Sequence, residues 1–207
     1  MTGIIVTYNT RDVFAECVAA LRLHCPELPL VIIDGSAPNN SCYTYVRSLQ
    51  DENTKVFQLG YNIGHGLGLH AGIQVTTDEQ LLLIDSDAIV LRSPLAAMAE
   101  QLTEGVYAVG EQYFIGRDGL HRNPVRDLPY IRPYFMLLSR TMYYRWPRFI
   151  HHGSPCIKAM LKINQEGRSA QLLRPFDLTS YVRHDWGATR KYNASHGQPE
   201  IPNAWER

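Results

Sequence analysis

The sequence has no surplus of charge of either sign: 20 Lys and Arg offset 20 Asp and Glu, for a formal net charge of +0. A balanced chain offers no general field to nucleic acid or to an anionic membrane surface, so neither is an expected partner. Cysteine is scarce as well. Cys17, Cys25, Cys42 and Cys156 form no Cys-x-x-Cys pair and fall in segments that read as helices or loops, so they are expected to be reduced thiols. No apolar run approaches the ~20 residues that a membrane-spanning helix needs. The first strand-like run begins at Gly3, which leaves no room for the basic and apolar regions of a secretory signal. A cytoplasmic protein, free or peripheral to a membrane, is expected. Repeats, low-complexity tracts and interdomain linkers are all lacking. What remains is 207 residues, 45% hydrophobic and 19% charged, which fits one domain in the usual range of roughly 100–200 residues.

Two hydrophobic periods alternate through the first ninety residues. Gly3 to Thr7 reads as a buried strand, and Val13, Phe14, Cys17, Val18 and Leu21 then fall on one helical stripe, with Asn9 or Thr10 placed to cap it. Leu30 to Ile33 is a second strand, Ser41 to Leu49 a helix and Val56 to Leu59 a third strand. A glycine-rich turn from Gly60 to Gly68 enters a helix ending near Val75, and Leu81 to Ile84 is a fourth strand. The pattern βαβαβαβ predicts an α/β fold with a mostly parallel sheet and helices on both faces. Later, Ser93-Pro94 and Ser154-Pro155 each resemble a helix start, and Tyr107–Gly110 and Tyr134–Leu138 resemble strands. Residues 1–190 are read as one domain, with a ligand-binding half at 1–92 and a second half at 93–190. Residues 191–207, without apolar periodicity, are read as a tail.

In parallel sheets, ligands bind outside the carboxyl ends of the strands. Thr7 to Asn9, Asp34, Asn62 and Asp85 to Asp87 all fall at such ends. Two carboxylates one residue apart, in Asp85-Ser86-Asp87, project differently from a turn, so one can hold a divalent cation while the other reaches a neighbouring ligand. Oxygen ligands suit Mg2+ or Mn2+, which bind through one or two carboxylates together with substrate phosphates. Asn62, Gly64 and His65 lie in the glycine-rich turn ahead of a helix, where backbone N–H groups favour an anion. That turn is neither a P-loop nor a dinucleotide motif, for it lacks both the Lys-Ser/Thr ending and the G-x-G-x-x-G order.

The ordered set Gly3-Ile4-Ile5-Val6-Thr7-Tyr8-Asn9, Val31-Ile32-Ile33-Asp34-Gly35-Ser36, Asn62-Ile63-Gly64 and Leu83-Ile84-Asp85-Ser86-Asp87 resembles the nucleotide-sugar-binding half of family 2-like GT-A glycosyltransferases. A weaker similarity continues through Tyr134 to Arg140 and ends at His184-Asp185-Trp186-Gly187. The resemblance implies a metal-dependent glycosyltransferase that takes a nucleoside-diphosphate sugar, a UDP-sugar foremost, and passes the sugar to a glycan or lipid-linked sugar acceptor. Thr7 and Tyr8 would border the nucleobase, with Asn9 beside them, and Asp34 would accept a hydrogen bond from the base. Asp85 would face the ribose, with Ser86 next to it. Asp87 would ligate the metal with Asp85, and His184 would be a further ligand. His184 has a plainer reading as a surface histidine stacked on Trp186.

An inverting transfer needs a general base near the acceptor hydroxyl. Family members of that kind carry an acidic pair before the late helix, yet Phe149-Ile150-His151-His152-Gly153-Ser154-Pro155 holds no Asp or Glu. His152 is the first candidate replacement, since an imidazole titrates near neutrality. Glu111, Asp118 and Asp127 are the others, and a retaining reaction would need no such base. Among Tyr130, Tyr134, Phe135, Tyr143, Tyr144 and Trp146, one or two rings are expected to face a sugar and the rest to be core. A nucleotidyltransferase is disfavoured because the glycine-rich turn has no Lys or Arg for a triphosphate. A non-catalytic nucleotide-sugar binding module fits the missing acidic pair.

Overall fold

In the computed structural model, which describes residues 1–117, 127–150, 153–184 and 188–195, the chain opens with the alternation that its periodicity predicts. β1 (Thr2–Thr7), α1 (Arg11–His24), β2 (Leu30–Asp34), α2 (Ser41–Ser48), β3 (Thr54–Gln58), α3 (His65–Val75) and β4 (Gln80–Asp85) come first. They are followed by β5 (Ala88–Val90), α4 (Leu95–Gln101), β6 (Ala108–Ile115), β7 (Leu128–Ser139) and α5 (Arg140–Tyr143). The last elements are α6 (Ile157–Gln165), α7 (Ser169–Leu172), β8 (Leu173–Pro175), β9 (Val182–His184) and α8 (Ala188–Ser195). The main sheet has the order β3-β2-β1-β4-β7-β6-β8, and β5 and β9 form a separate pair. β7 runs antiparallel to both of its neighbours, while the remaining neighbours pair in parallel.

Alternate strand residues point to opposite faces, and here both faces are covered. Ile4, Val31, Ile33, Leu81 and Leu83 join a core with Leu69 and Ile73 of α3 and Met160 and Ile163 of α6. Ile5, Leu30, Ile32, Leu82 and Ile84 join the opposite core with Phe14 and Leu21 of α1, Val46 of α2 and Met98 of α4. Double burial explains why these strands read as continuous apolar runs rather than as alternating ones. The four cysteines are free and buried.

α3 can lie this close to β1 because Gly68 and Gly72, which meet the strand, carry no side chain. A Cβ at Gly72 would stand 2.4 Å from Ile4 Cγ2, and one at Gly68 would stand 2.7 Å from Val6 Cγ1. Since Ile4 is itself fully buried, Gly72→Ala is expected to destabilise the fold by about 1–3 kcal/mol. At about 2–4 °C per kcal/mol for a chain of this size, thermal unfolding would read the loss. An unchanged Tm would mean that Ile4 moves aside freely.

Local details depart from the sequence reading. Thr10 stands at the start of α1 but makes no side-chain capping bond. α4 and α6 begin after Pro94 and Cys156, one and two residues later than the Ser-Pro pairs imply. α8 runs through Ser195 and packs on α1, so helical structure crosses the expected start of the tail at 191. Among the described residues, no helix is long and apolar enough to cross a membrane.

Candidate functional site

β1, β2 and β4 end level with one another, since Thr7 pairs with Asp34 and Val6 with Asp85. Three of the sequence-predicted residues therefore share one rim. Asp34 is fully buried. Its Oδ1 accepts the Ser36 N–H at 2.8 Å and its Oδ2 accepts from Gln58 Nε2 at 3.1 Å. Asn9 adopts a left-handed φ of 55°, donates its N–H to Ser36 Oγ at 2.8 Å and accepts the Ala37 N–H at 3.3 Å through Oδ1. Thr7 is buried with its hydroxyl 3.9 Å from Cys42 Sγ, and Tyr8 beside it is half-buried. Gly35 permits the β2 loop to meet the glycine-rich turn, for a Cβ there would stand 3.1 Å from the Tyr61 carbonyl oxygen. In that turn Asn62 Oδ1 accepts the Gly64 N–H at 2.7 Å, and Gly64, with φ of +84°, starts α3 at His65.

Asp85, Asp87 and His184 form a group whose ligand atoms all lie within 4.8 Å of one another. The end of β4 supplies Asp85 and the turn after it Asp87, with Ser86 buried between them. The histidine arrives from almost a hundred residues downstream because β9 pairs with β5, setting Ala88 opposite His184. His184 Nε2 lies 3.0 Å from Asp87 Oδ1 and 3.5 Å from Asp85 Oδ2, and His65 Nε2 lies 3.3 Å from Asp85 Oδ1. Two carboxylates and an imidazole are a sound donor set for a divalent cation. Asp85 Oδ1 is also shut off from solvent and accepts no hydrogen bond, an arrangement that a cation would satisfy. The His184 ring stacks on Tyr134, with centroids 4.7 Å apart and planes at 24°. Trp186, the stacking partner proposed from sequence, lies outside the described residues.

Burial would raise the Asp85 carboxyl, but His65, His184 and Arg132 together hold it below the ordinary carboxylate value. For His184 burial works against the charged form, and hydrogen bonds and charge from Asp85 and Asp87 override it, raising the imidazole to about 9. In the metal-free protein, the stabilisation from protonated His184 is thus fully present below about pH 6.5 and is lost as pH rises through about 9. Thermal unfolding in EDTA should show Tm falling across that window, and His184→Gln should flatten the fall. A wild-type profile as flat as that of the variant would contradict the assignment.

The candidate bases are placed differently. Glu111 forms an ion pair with Arg132, whose guanidinium lies 4.8 Å from the Tyr134 ring centroid and 5.4 Å from that of Tyr113. Asp127 immediately precedes β7. His152 and Asp118 lie outside the described residues. Of the aromatic cluster, Tyr144 is exposed and the other rings are buried. Arg132 is the residue that sequence reading passed over. Its position two residues before Tyr134 in a strand, hence on the same face, was the available signal.

A search of curated proteins finds no match to this sequence. The family model described as glycosyl transferase family 2 matches residues 2–163. The chain belongs to glycosyl transferase family 2. Solved structures agree on the fold. The mannosyltransferase PcManGT from Pyrobaculum calidifontis, solved with GDP-Man and Mn2+, superposes with a TM-score of 0.66 at 15% identity over 97% of this chain and 65% of that one. S. aureus TarS 1-349 in complex with UDP-GlcNAc gives 0.60 at 17% identity over 87% of this chain and 57% of that one. This family 2 chain thus has the GT-A fold and spans less than two thirds of either structure.

Proposed function

We propose that this family 2 domain transfers a sugar from a nucleoside-diphosphate sugar to a hydroxyl acceptor. The observation that carries the proposal is the Asp85, Asp87 and His184 group standing level with Asp34 and Thr7 on the carboxyl rim of the sheet. The family match and the nucleotide sugars bound by PcManGT and TarS support it.

The base, the ribose and the diphosphate of the donor each have a partner. A carboxylate offers about four lone-pair sites. Asp34 already spends two on Ser36 and Gln58, so it is fixed in direction and still able to accept a ring N–H from the base. Thr7, Tyr8 and Asn9 border that position, and Asp85 faces the ribose. Asn62, Gly64 and His65 open the amino terminus of α3 towards the phosphates. Asp87, His184 and Asp85 would hold the cation, and an imidazole among the donors suits Mn2+ better than Mg2+. A bound Mn2+ supplies Lewis-acid stabilisation of charge on the leaving diphosphate. Residues 1–92 then form the donor half of a single domain and 93–190 the acceptor half, with a glycan or a lipid-linked sugar as acceptor. For an inverting reaction His152 is the base favoured, since Arg132 already pairs with Glu111, with Asp118 and Asp127 as the alternatives.

Calorimetric titration of UDP, GDP, CDP and dTDP, with Mn2+ and with EDTA, tests the reading. Selective binding that needs the metal is expected, with UDP first. Failure of every diphosphate to bind folded protein would overturn it, and binding without turnover of any donor would make the chain a binding module.

A further inference from the structure

His184 comes from a three-residue strand paired only with another three-residue strand. Ala88, Val90 and Val182 are buried in the core and fix the backbone of the ribbon, which leaves the direction of the imidazole to whatever packs on its ring. That restraint is a stack against the face of the ring. Tyr134 belongs to β7, a strand with neighbours on both sides in the main sheet, and its ring is stacked on the imidazole at 4.7 Å.

Tyr134 is itself held. The Arg132 guanidinium lies over its ring at 4.8 Å, and Glu111 both pairs with Arg132 and lies against the Tyr134 side chain. Glu111 occupies the register shift between Gly110 and Gln112 in β6. Bulges of this kind re-aim a side chain beside functional sites. Four residues from three strands therefore make one column, Glu111 and Arg132 fixing Tyr134 and Tyr134 fixing His184.

We propose that Tyr134, set by Glu111 and Arg132, is the positioning residue for His184, so that the metal affinity of the site depends on the ring stacked on the imidazole. Glu111 is then a positioning residue and not the base. This rests on the metal reading above. Groups that orient a metal ligand from behind commonly alter metal affinity by 10–100-fold when removed.

The test is Mn2+ binding to the full chain without nucleotide, read by electron paramagnetic resonance of the free ion, with Tm recorded in EDTA. Tyr134→Phe keeps the ring and should bind within about twofold of wild type, whereas Tyr134→Leu should bind about tenfold more weakly or worse. Should Tyr134→Leu fail to fold, Glu111→Ala at a partly exposed position carries the test, with a severalfold loss expected. Wild-type affinity in folded Tyr134→Leu, or in Glu111→Ala where Leu does not fold, overturns the positioning role alone. Absence of Mn2+ binding in the wild-type protein overturns the metal reading and this inference together.

Discussion

Asp87→Ala is expected to abolish Mn2+-dependent nucleotide binding and to lower sugar transfer about a thousandfold, with the fold intact. Asp87 is buried, and its Oδ1 lies 3.0 Å from His184 Nε2. Removing it deletes one of two carboxylates and leaves His184 facing Asp85 alone. Lewis-acid stabilisation of a leaving diphosphate is worth several kcal/mol, and about 4 kcal/mol corresponds to that thousandfold. Stability in EDTA should fall as well, because removing one member of a buried ion pair leaves the His184 imidazolium with Asp85 alone. Transfer assays beside thermal unfolding in EDTA separate the two effects. A variant that retains metal-dependent binding would show that Asp85 and His184 suffice and that Asp87 is not needed as a ligand.

Phe135→Ala should produce the largest loss of stability, about 3–5 kcal/mol. Phe135 is wholly buried in β7 and pairs with Ile84, the residue before Asp85. Its ring lies in the core on the sheet face that also holds Ile5, Ile84 and Leu137, so the cavity left behind opens over the seam where β4 pairs with the strand that carries Tyr134. At about 2–4 °C per kcal/mol, Tm should fall by about 6–20 °C. Nucleotide binding in the surviving folded fraction should weaken as well, because the turn of Asp85 and Asp87 is continuous with the disturbed strand. A fall of only a degree or two would mean that the seam repacks.

Short-range signals account for what could be read from the sequence in advance. The apolar runs at Ile4, Ile32 and Leu82 announce doubly covered strands, and the stripe from Phe14 to Leu21 announces a helix on one face. A parallel βαβ series places its strand ends on one rim, so Thr7, Asp34 and Asp85 fall together without any knowledge of coordinates. β6 and β7 were recognised only as fragments, because a long antiparallel pair broken by a bulge carries no uniform period. The short strands β5, β8 and β9 have too few residues to announce themselves.

The sequence alone therefore determined the α/β class and the line of polar groups along the rim, because period and topology follow from local patterns. Tertiary structure decided which groups meet. The β5 and β9 pairing brings His184 to Asp87, and the β6 and β7 pairing sets Glu111 against Arg132, whose guanidinium lies over Tyr134. Contacts between residues so far apart in the chain depend on strand register and packing, for which one sequence holds no local signal.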